Sequence, residues 1–221
     1  MSDVAINIVC FVGPSLKVSH RPFHSGRTLL EYRPPARRGD LLEAAEEAGA
    51  IILIDGHMVN AYSPTVRECM EVLDADVALF GAASLGAMRA VELRDFGMHG
   101  AGWIYQRMLE GELENDDEFL SVMDPSNYQP LTEPLINYRK ILHDMRESAV
   151  ICGEVYNSIM DRLVKIHYTQ RTSSAIFDVL NSYEAHIGDS VQSRLLQPNI
   201  KTIDAMSAIE LAMRGTVESA C

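Results

Sequence analysis

Short apolar runs that alternate with helical segments constrain the fold of this chain more than any other feature. Three runs have the composition of buried strands: INIVCFVG at 6–13, AIILID at 50–55 and VALF at 77–80. A weaker strand candidate, TLLEYR at 28–33, is stopped by two prolines. Because helical segments separate these runs, we predict parallel βαβ units and a sheet that is covered on both faces.

The helical segments have recognisable ends. Gly49 suits a helix C-cap, Pro64 opens a second helix and Ser84 stands where a third begins. From about residue 100 onward the pattern is helical throughout. We therefore predict an α/β fold, with a small parallel sheet and flanking helices over residues 1–100. A helical C-terminal region over 101–221 is expected to pack on this core.

The composition is that of an ordinary globular protein, with 221 residues of which 47% are hydrophobic. No apolar run approaches the roughly 20 residues of a membrane span, and no basic segment precedes the first apolar run. The four cysteines form no CxxC pair, which favours reduced thiols over a zinc site or disulfides. We therefore expect a cytoplasmic protein with no membrane contact, no metal and no cofactor.

Charge is abundant and unevenly placed. The net charge of −12 argues against a nucleic-acid partner, whose phosphates would be repelled. Residues 21–40 hold five arginines against two acids, whereas residues 110–124 hold seven acids and neither lysine nor arginine. Two interpretations stay open: both segments are solvated loops, or they are faces that meet different protein partners.

Small and polar residues follow the predicted strands. In an open parallel sheet, ligands bind at the carboxyl ends of the strands. Gly13 and Ser15 follow the first strong strand, Asp55 and Gly56 the second, and Gly81 belongs to the turn after the third. These five residues are therefore candidate substrate-binding residues.

Ser84 lies in the stretch GAASLGAMRA at 81–90, where small residues surround it. Its hydroxyl could cap the following helix. Alternatively, the small residues admit a substrate's backbone, the free N–H groups at the helix start stabilise an oxyanion, and Ser84 is a nucleophile. The pattern G-x-x-S-x-G is one residue off the hydrolase elbow. No histidine triad is recognisable, so a serine–lysine pair would need one of the chain's four lysines: Lys17, Lys140, Lys165 and Lys201.

Two other charged sets allow alternative interpretations. Arg89 and Glu92 share a helical face, so they form an intrahelical ion pair, or Arg89 anchors a carboxylate or phosphate. The acids at 116–118 could bind a metal, although acids at a helix start more often complement the helix dipole. Neither G-x-G-x-x-G nor a Walker sequence is present to indicate a nucleotide.

Several motifs in a fixed order resemble the TfuA-like family, whose members are partners of YcaO enzymes in peptide thioamide formation. Together they cover roughly residues 6–145. They are FVGPSL (11–16), YRPPARRGD (32–40), LIDG (53–56), GAASLGAMRAVEL (81–93), FGMHGAG (96–102), GELENDDE (111–118) and PLINYR (134–139).

The resemblance implies an activity and partners. Family members are thought to hydrolyse the C-terminal thiocarboxylate of a ubiquitin-like sulfur carrier protein, releasing sulfide, and to help a YcaO enzyme hold its substrate peptide. The alternative is a non-catalytic adaptor that raises the affinity of YcaO for that peptide. An enzyme needs the Ser84 hydroxyl, whereas an adaptor tolerates Ser84→Ala.

The resemblance also implies site residues. The family's serine–lysine pair carries over to Ser84, but where many relatives show a His-Lys-Glu stretch this chain has Arg67, a poor base. Lys140 is the replacement candidate because it adjoins the matched Asn137 and Arg139. The full expectation makes Ser84 and Lys140 catalytic. The expected substrate-binding residues are Gly13, Ser15, Arg38, Asp55, Gly56, Gly81, Arg89, Glu92, Asn137 and Arg139.

Overall fold

The structure is a computed structural model that describes residues 6–22, 28–58, 62–113, 115–122, 130–183, 185–195 and 198–218. It divides into two compact units. The first comprises Met1–Glu114 together with Lys201–Cys221, and the second comprises Asn115–Ile200. The sequence placed its division near residue 100, whereas in the structure the last segment of the chain belongs with the first unit.

The first unit contains a five-stranded parallel sheet, which confirms the predicted α/β fold. Its strands lie in the order β2-β1-β3-β4-β5. Their bounds are β1 Ile6–Phe11, β2 Thr28–Arg33, β3 Ala50–Leu53, β4 Ala78–Ala82 and β5 His99–Ala101. The weaker strand candidate is therefore a strand, and β5 is one that the sequence analysis missed.

The helices account for most of the remaining described residues. In the first unit they are α1 Asp40–Ala45, α2 Val66–Asp74, α3 Leu85–Leu93, α4 Gly102–Leu109 and α9, which spans Ile200–Glu218 and begins at the last residue of the second unit. In the second unit they are α5 Leu135–Glu147, α6 Gly153–Leu163, α7 Ser173–Asn181 and α8 Ala185–Arg194. None of the helices in the described ranges is both long and apolar enough to cross a membrane.

Both faces of the sheet are covered by apolar side chains, as continuous apolar strands require. Alternate residues of β1 and β3 point to opposite faces. On one face they pack with small residues of α9, among them Ala205 and Ala208. On the other face they pack with α1, α2 and α3 through residues such as Leu41, Cys69 and Leu93.

The second unit has a core of its own, formed by apolar residues of its four helices such as Leu142, Ile159 and Val191. The acidic segment contributes to this unit. Glu118 is buried and forms a bidentate pair with Arg139, at 2.6 Å for both bonds. Asp117 pairs with the buried Arg171. For these two acids the interpretation as a solvated loop is wrong, because their carboxylates are ion-paired within the unit.

Candidate functional site

The strand order places a topological switch point between β1 and β3. In doubly wound sheets of this order, the crevice outside the carboxyl ends of these two strands is the usual ligand site. Asp55 follows β3 there and is buried. Its Oδ2 accepts the N–H groups of Gly13 and Ser15 at 2.8 and 3.0 Å, and its Oδ1 accepts the Ser15 hydroxyl at 2.6 Å. The amides of the β1 turn therefore already hold an anion, namely the protein's own carboxylate.

Helix α9 brings two further polar residues to this edge. The Thr202 hydroxyl donates to the Ser15 carbonyl at 2.8 Å, which fixes the start of α9 beside the β1 turn. Lys201 is only 6% exposed. Burial lowers the pKa of Lys201, and the negative charge of Asp55 partly opposes that shift. In the sequence, Lys201 is one of four lysines, and no pattern assigns it to this edge of the sheet.

Asp204 also fixes the position of α9, because it binds the start of α4. Its two carboxylate oxygens accept the N–H groups of Trp103 and Ile104, at 2.9 and 2.7 Å, at the start of α4. A carboxylate at a helix N-terminus is favourable because it satisfies amides that lack intrahelical partners. Polar residues stand at positions 201, 202 and 204, at the start of a helix whose later residues enter the core. This pattern could have identified the segment as part of the site.

Cys10 lies close enough to Asp55 to be affected by its charge but is not a candidate nucleophile. Burial is the main cause that raises the pKa of the Cys10 thiol to about 12, and Asp55 adds to the shift. The thiolate, which is the reactive form, is therefore scarce at neutral pH.

The Ser84 turn joins β4 to α3. The Ser84 N–H donates to the carbonyl of Ala82 at 2.8 Å, across Ala83, whose φ is +68°. This is a γ-turn with a positive φ at a residue that has a side chain, a rare and strained arrangement. Strained turns persist where the surrounding structure holds them, and they are frequent at functional sites.

Two hydrogen-bonding groups at this turn have no partner among the described residues. The Ser84 side chain stands at the N-cap of α3 but accepts no cap hydrogen bond, so the interpretation as a helix cap is wrong. The next residue, Leu85, is buried, and its N–H finds no acceptor within the part of the chain that the structure describes. A buried amide without an acceptor is uncommon. Ser84 is only 4% exposed. We call its hydroxyl and the adjacent Leu85 N–H open, meaning that neither has a hydrogen-bond partner among the described residues.

The glycines near Ser84 are explained by packing within the protein. A Cβ atom on Gly86 would lie 1.7 Å from the carbonyl oxygen of Leu53, and one on Gly81 would lie 2.1 Å from that of Gly86. A Cβ on Gly56 would meet the Leu85 side chain. Gly81 and Gly86 therefore allow α3 to approach β3 and β4, and Gly56 leaves room for Leu85. Substrate binding by Gly56 and Gly81 stays a prediction.

This packing predicts a strong effect of Gly86→Ala. Because the obstructing atom belongs to the backbone of a central strand, the helix must shift, and we expect a loss of about 3 kcal/mol in the free energy of unfolding. Gly153→Ala is the matched control, since a Cβ at that helical glycine meets nothing within 4 Å. The control is expected to be neutral or slightly stabilising. Urea unfolding of both variants measures the difference, and equal stabilities would contradict the packing argument.

Arg89 and Arg38 were expected to bind substrate. Arg89 donates to the carbonyl of Pro64 through Nε and Nη2, both at 3.1 Å, and to Glu92 through Nη1 at 2.6 Å. The intrahelical ion pair is therefore present. Arg38 is exposed, and its N–H donates to the carbonyl of Tyr62. Substrate binding by either arginine stays a prediction.

The remaining predicted residues lie on α5, in the second unit. Lys140 pairs with Asp144 one turn along the helix, at 2.5 and 2.6 Å. Arg139 is held by Glu118. Asn137 is buried, and its Oδ1 accepts no hydrogen bond from any described residue. The catalytic role of Lys140 and the substrate-binding roles of its two neighbours stay predictions.

No group of three or more metal-binding side chains occurs within the ranges that the structure describes, including the acids at 116–118. Cys10, Cys69 and Cys152 are free thiols, whereas Cys221 lies outside those ranges. The candidate site consists of Ser15, Ser84, Asp55, Lys201 and the backbone amides around them.

The chain was compared with known proteins and with protein families. A search of curated proteins finds no significant match to the chain. A family profile described as TfuA-like protein matches residues 55–172, more than half of the chain. The matched region begins at Asp55 and includes the Ser84 turn. The chain therefore belongs to the TfuA-like family.

Proposed function

We propose that this TfuA-like protein hydrolyses the C-terminal thiocarboxylate of a ubiquitin-like sulfur carrier protein and supplies sulfide to a YcaO enzyme for backbone thioamidation. The observation that carries the proposal is the Ser84 turn, where an open hydroxyl adjoins an open N–H. Hydrolases of the nucleophile-elbow type use the amide of the residue after the nucleophile as part of the oxyanion hole. Leu85 occupies that position in this chain.

The chemistry of the proposed step is an acyl transfer. The Ser84 Oγ attacks the carbonyl carbon of the thiocarboxylate, and the serine proton passes to a neutral lysine amine. The oxyanion that forms accepts a hydrogen bond from the Leu85 N–H. When the carbon–sulfur bond breaks, the proton passes from the lysine to the departing sulfur, and hydrosulfide leaves. Water then hydrolyses the serine ester to free serine and the carrier's carboxylate.

The start of α3 suits the charge of this substrate. A thiocarboxylate is an anion, and a helix N-terminus carries partial positive charge from its unpaired N–H groups. The chain's other cluster of amides at the sheet edge, at Gly13 and Ser15, is filled by Asp55. The Ser84 turn is therefore the part of this edge that is ready to receive an anionic acyl group.

The charged segments offer surfaces for two partners. Arg37 and Arg38 are exposed, whereas Arg33 pairs with Glu31 and Glu47. Arg27 of the same segment lies outside the described residues, as do Glu114 and Asp124 of the acidic segment. In this proposal the exposed arginines contact one partner and the exposed acids the other, which lets a protein of net charge −12 hold both.

The test uses the protein without any YcaO enzyme. The wild-type protein is incubated with a thiocarboxylated ubiquitin-like carrier, sulfide is trapped, and the intact mass of the carrier is followed. We expect sulfide to appear as the carrier's thiocarboxylate becomes a carboxylate. If the carrier stays unchanged while the protein raises the affinity of YcaO for its peptide, the protein is an adaptor and the hydrolase proposal is wrong.

A further inference from the structure

The four lysines of the chain differ sharply in their surroundings. Lys17 and Lys165 are exposed. Lys140 forms an ion pair with Asp144 on its own helix. Lys201 is buried at the carboxyl edge of the sheet, where Asp55 acts on it. Only a lysine with a substantial neutral fraction can accept a proton at neutral pH, so these surroundings decide which lysine is suited to that role.

The start of α9 and the Ser84 turn share an apolar cluster, which contains Ala205 of α9 together with Ala82 and Ala83. Asp55 follows β3, which pairs with β1 on one side and with β4 on the other. Ser84 follows β4, and adjacent strands lie about 4.8 Å apart. The Gly86 N–H donates to the carbonyl of Ile54 at 3.3 Å, so the start of α3 is bonded to the residue before Asp55.

We propose that Lys201, carried to the sheet edge by α9, is the base that accepts the Ser84 proton and returns it to the departing sulfur. This inference rests on the proposed function and deepens it. It assigns to the site a residue that lies outside the region matched by the family, 55–172. It also assigns a role to Asp55, Ser15 and Thr202, which position the lysine through the bonds described above.

Several charged and titratable groups lie around this edge of the sheet. The charge of Asp55 acts on Lys201. Asp55 also acts on the buried Cys10 thiol of β1, as does Arg21, which lies beyond the β1 turn. Asp204, on α9 itself, is engaged by the amides of Trp103 and Ile104. Because burial has the largest effect, the pKa of Lys201 lies below its ordinary value, and the neutral amine is available at lower pH than for an exposed lysine.

Labelling with a fluorophosphonate tests the assignment without the natural substrate, because this reagent phosphonylates activated serines. The labelling rate of Ser84 is measured against pH for the wild type, Lys201→Met, Lys201→Arg, the competing candidate Lys140→Met, and Lys165→Met, a control at an exposed lysine. The wild-type rate should rise through a single ionisation below about pH 10.4, the ordinary value for lysine. Lys201→Met should lower it about 100-fold or more and remove that ionisation. The control Lys165→Met should leave both unchanged.

Lys201→Arg places a permanent cation beside Asp55 that cannot act as a base, because arginine stays protonated. It should therefore label as slowly as Lys201→Met, and the unfolding temperatures of both variants, measured in parallel, separate catalysis from folding. If Lys201→Arg labels at the wild-type rate, or if Lys140→Met is the slow variant, the assignment of Lys201 is wrong while the nucleophile stands. If the wild type is not labelled at Ser84, the proposed function fails, and this inference fails with it.

Discussion

Ser84→Ala is expected to lower kcat/KM for sulfide release by about 10³-fold or more without lowering the temperature of unfolding. The activity is lost because the variant has no nucleophile, and only binding and the oxyanion amide remain to assist water. The stability is kept because the hydroxyl caps no helix in the wild type. A serine that does cap a helix costs about 1 kcal/mol when it is replaced by alanine.

Ser63→Ala is the matched control for that variant. Ser63 is also a buried serine of the first unit, and its hydroxyl donates to the Pro64 carbonyl at 3.4 Å. We expect it to retain wild-type activity. A Ser84→Ala protein that keeps more than about a tenth of the wild-type rate, a loss of less than ~1.4 kcal/mol in transition-state stabilisation, would contradict the assignment of the nucleophile.

Arg171→Ala is expected to destabilise the second unit by about 3–5 kcal/mol. Arg171 is fully buried, and its guanidinium donates twice to the carbonyl of Ile166, at 2.9 and 3.2 Å. It also donates to the carbonyl and the carboxylate of Asp117, at 3.0 and 3.1 Å. Alanine would leave these acceptors without their donors and would open a cavity of several methylene groups.

Hydrogen exchange of the amides of α5 to α8 measures the loss of stability within the second unit. Arg162→Ala is the control, because Arg162 is exposed and contacts the Ser182 hydroxyl and the ring of Tyr183. Its replacement should change protection by less than about 1 kcal/mol. Equal losses of protection in the two variants would show that burial of Arg171 does not decide the stability of this unit.

The sheet could be predicted from the sequence because four of its strands carry enough β-branched and apolar residues to be recognised. The fifth strand, His99–Ala101, has three residues, two of which are glycine and alanine, and Gly102 follows it directly. No periodicity can be read over three residues. Its place at the edge of the sheet depends on pairing with β4, which is a tertiary effect.

The candidate site was predicted only in part, because some of its residues are brought together by tertiary contacts. Ser84 and Asp55 stand at strand ends, which a strand pattern reveals directly. Lys201 is about 145 residues from Asp55 in the sequence, and α9 reaches the sheet only because its small residues, such as Ala208, fit against the strands. Lys140 was chosen for its neighbours in the sequence, Asn137 and Arg139, and sequence proximity carries no information about such long-range contacts.

The glycines show how one pattern serves two interpretations. A cluster of small residues after a strand predicts that a backbone approaches closely. The sequence does not distinguish the backbone of a substrate from that of the protein itself. The positions of Gly81 and Gly86 against backbone atoms of the protein itself identify the approaching element as α3. The open groups of Ser84 and Leu85 are a separate feature, visible only when the hydrogen bonds of the turn are traced.

The most direct test of the account is to locate the acyl group during a single turnover. Excess protein is mixed with thiocarboxylated carrier, quenched in acid at successive times and digested for mass spectrometry. We predict that sulfide is released together with formation of an ester between the carrier's C-terminal carbonyl and Ser84. The account is contradicted if the carrier is converted in those samples while the acyl group is found on another residue, or on none.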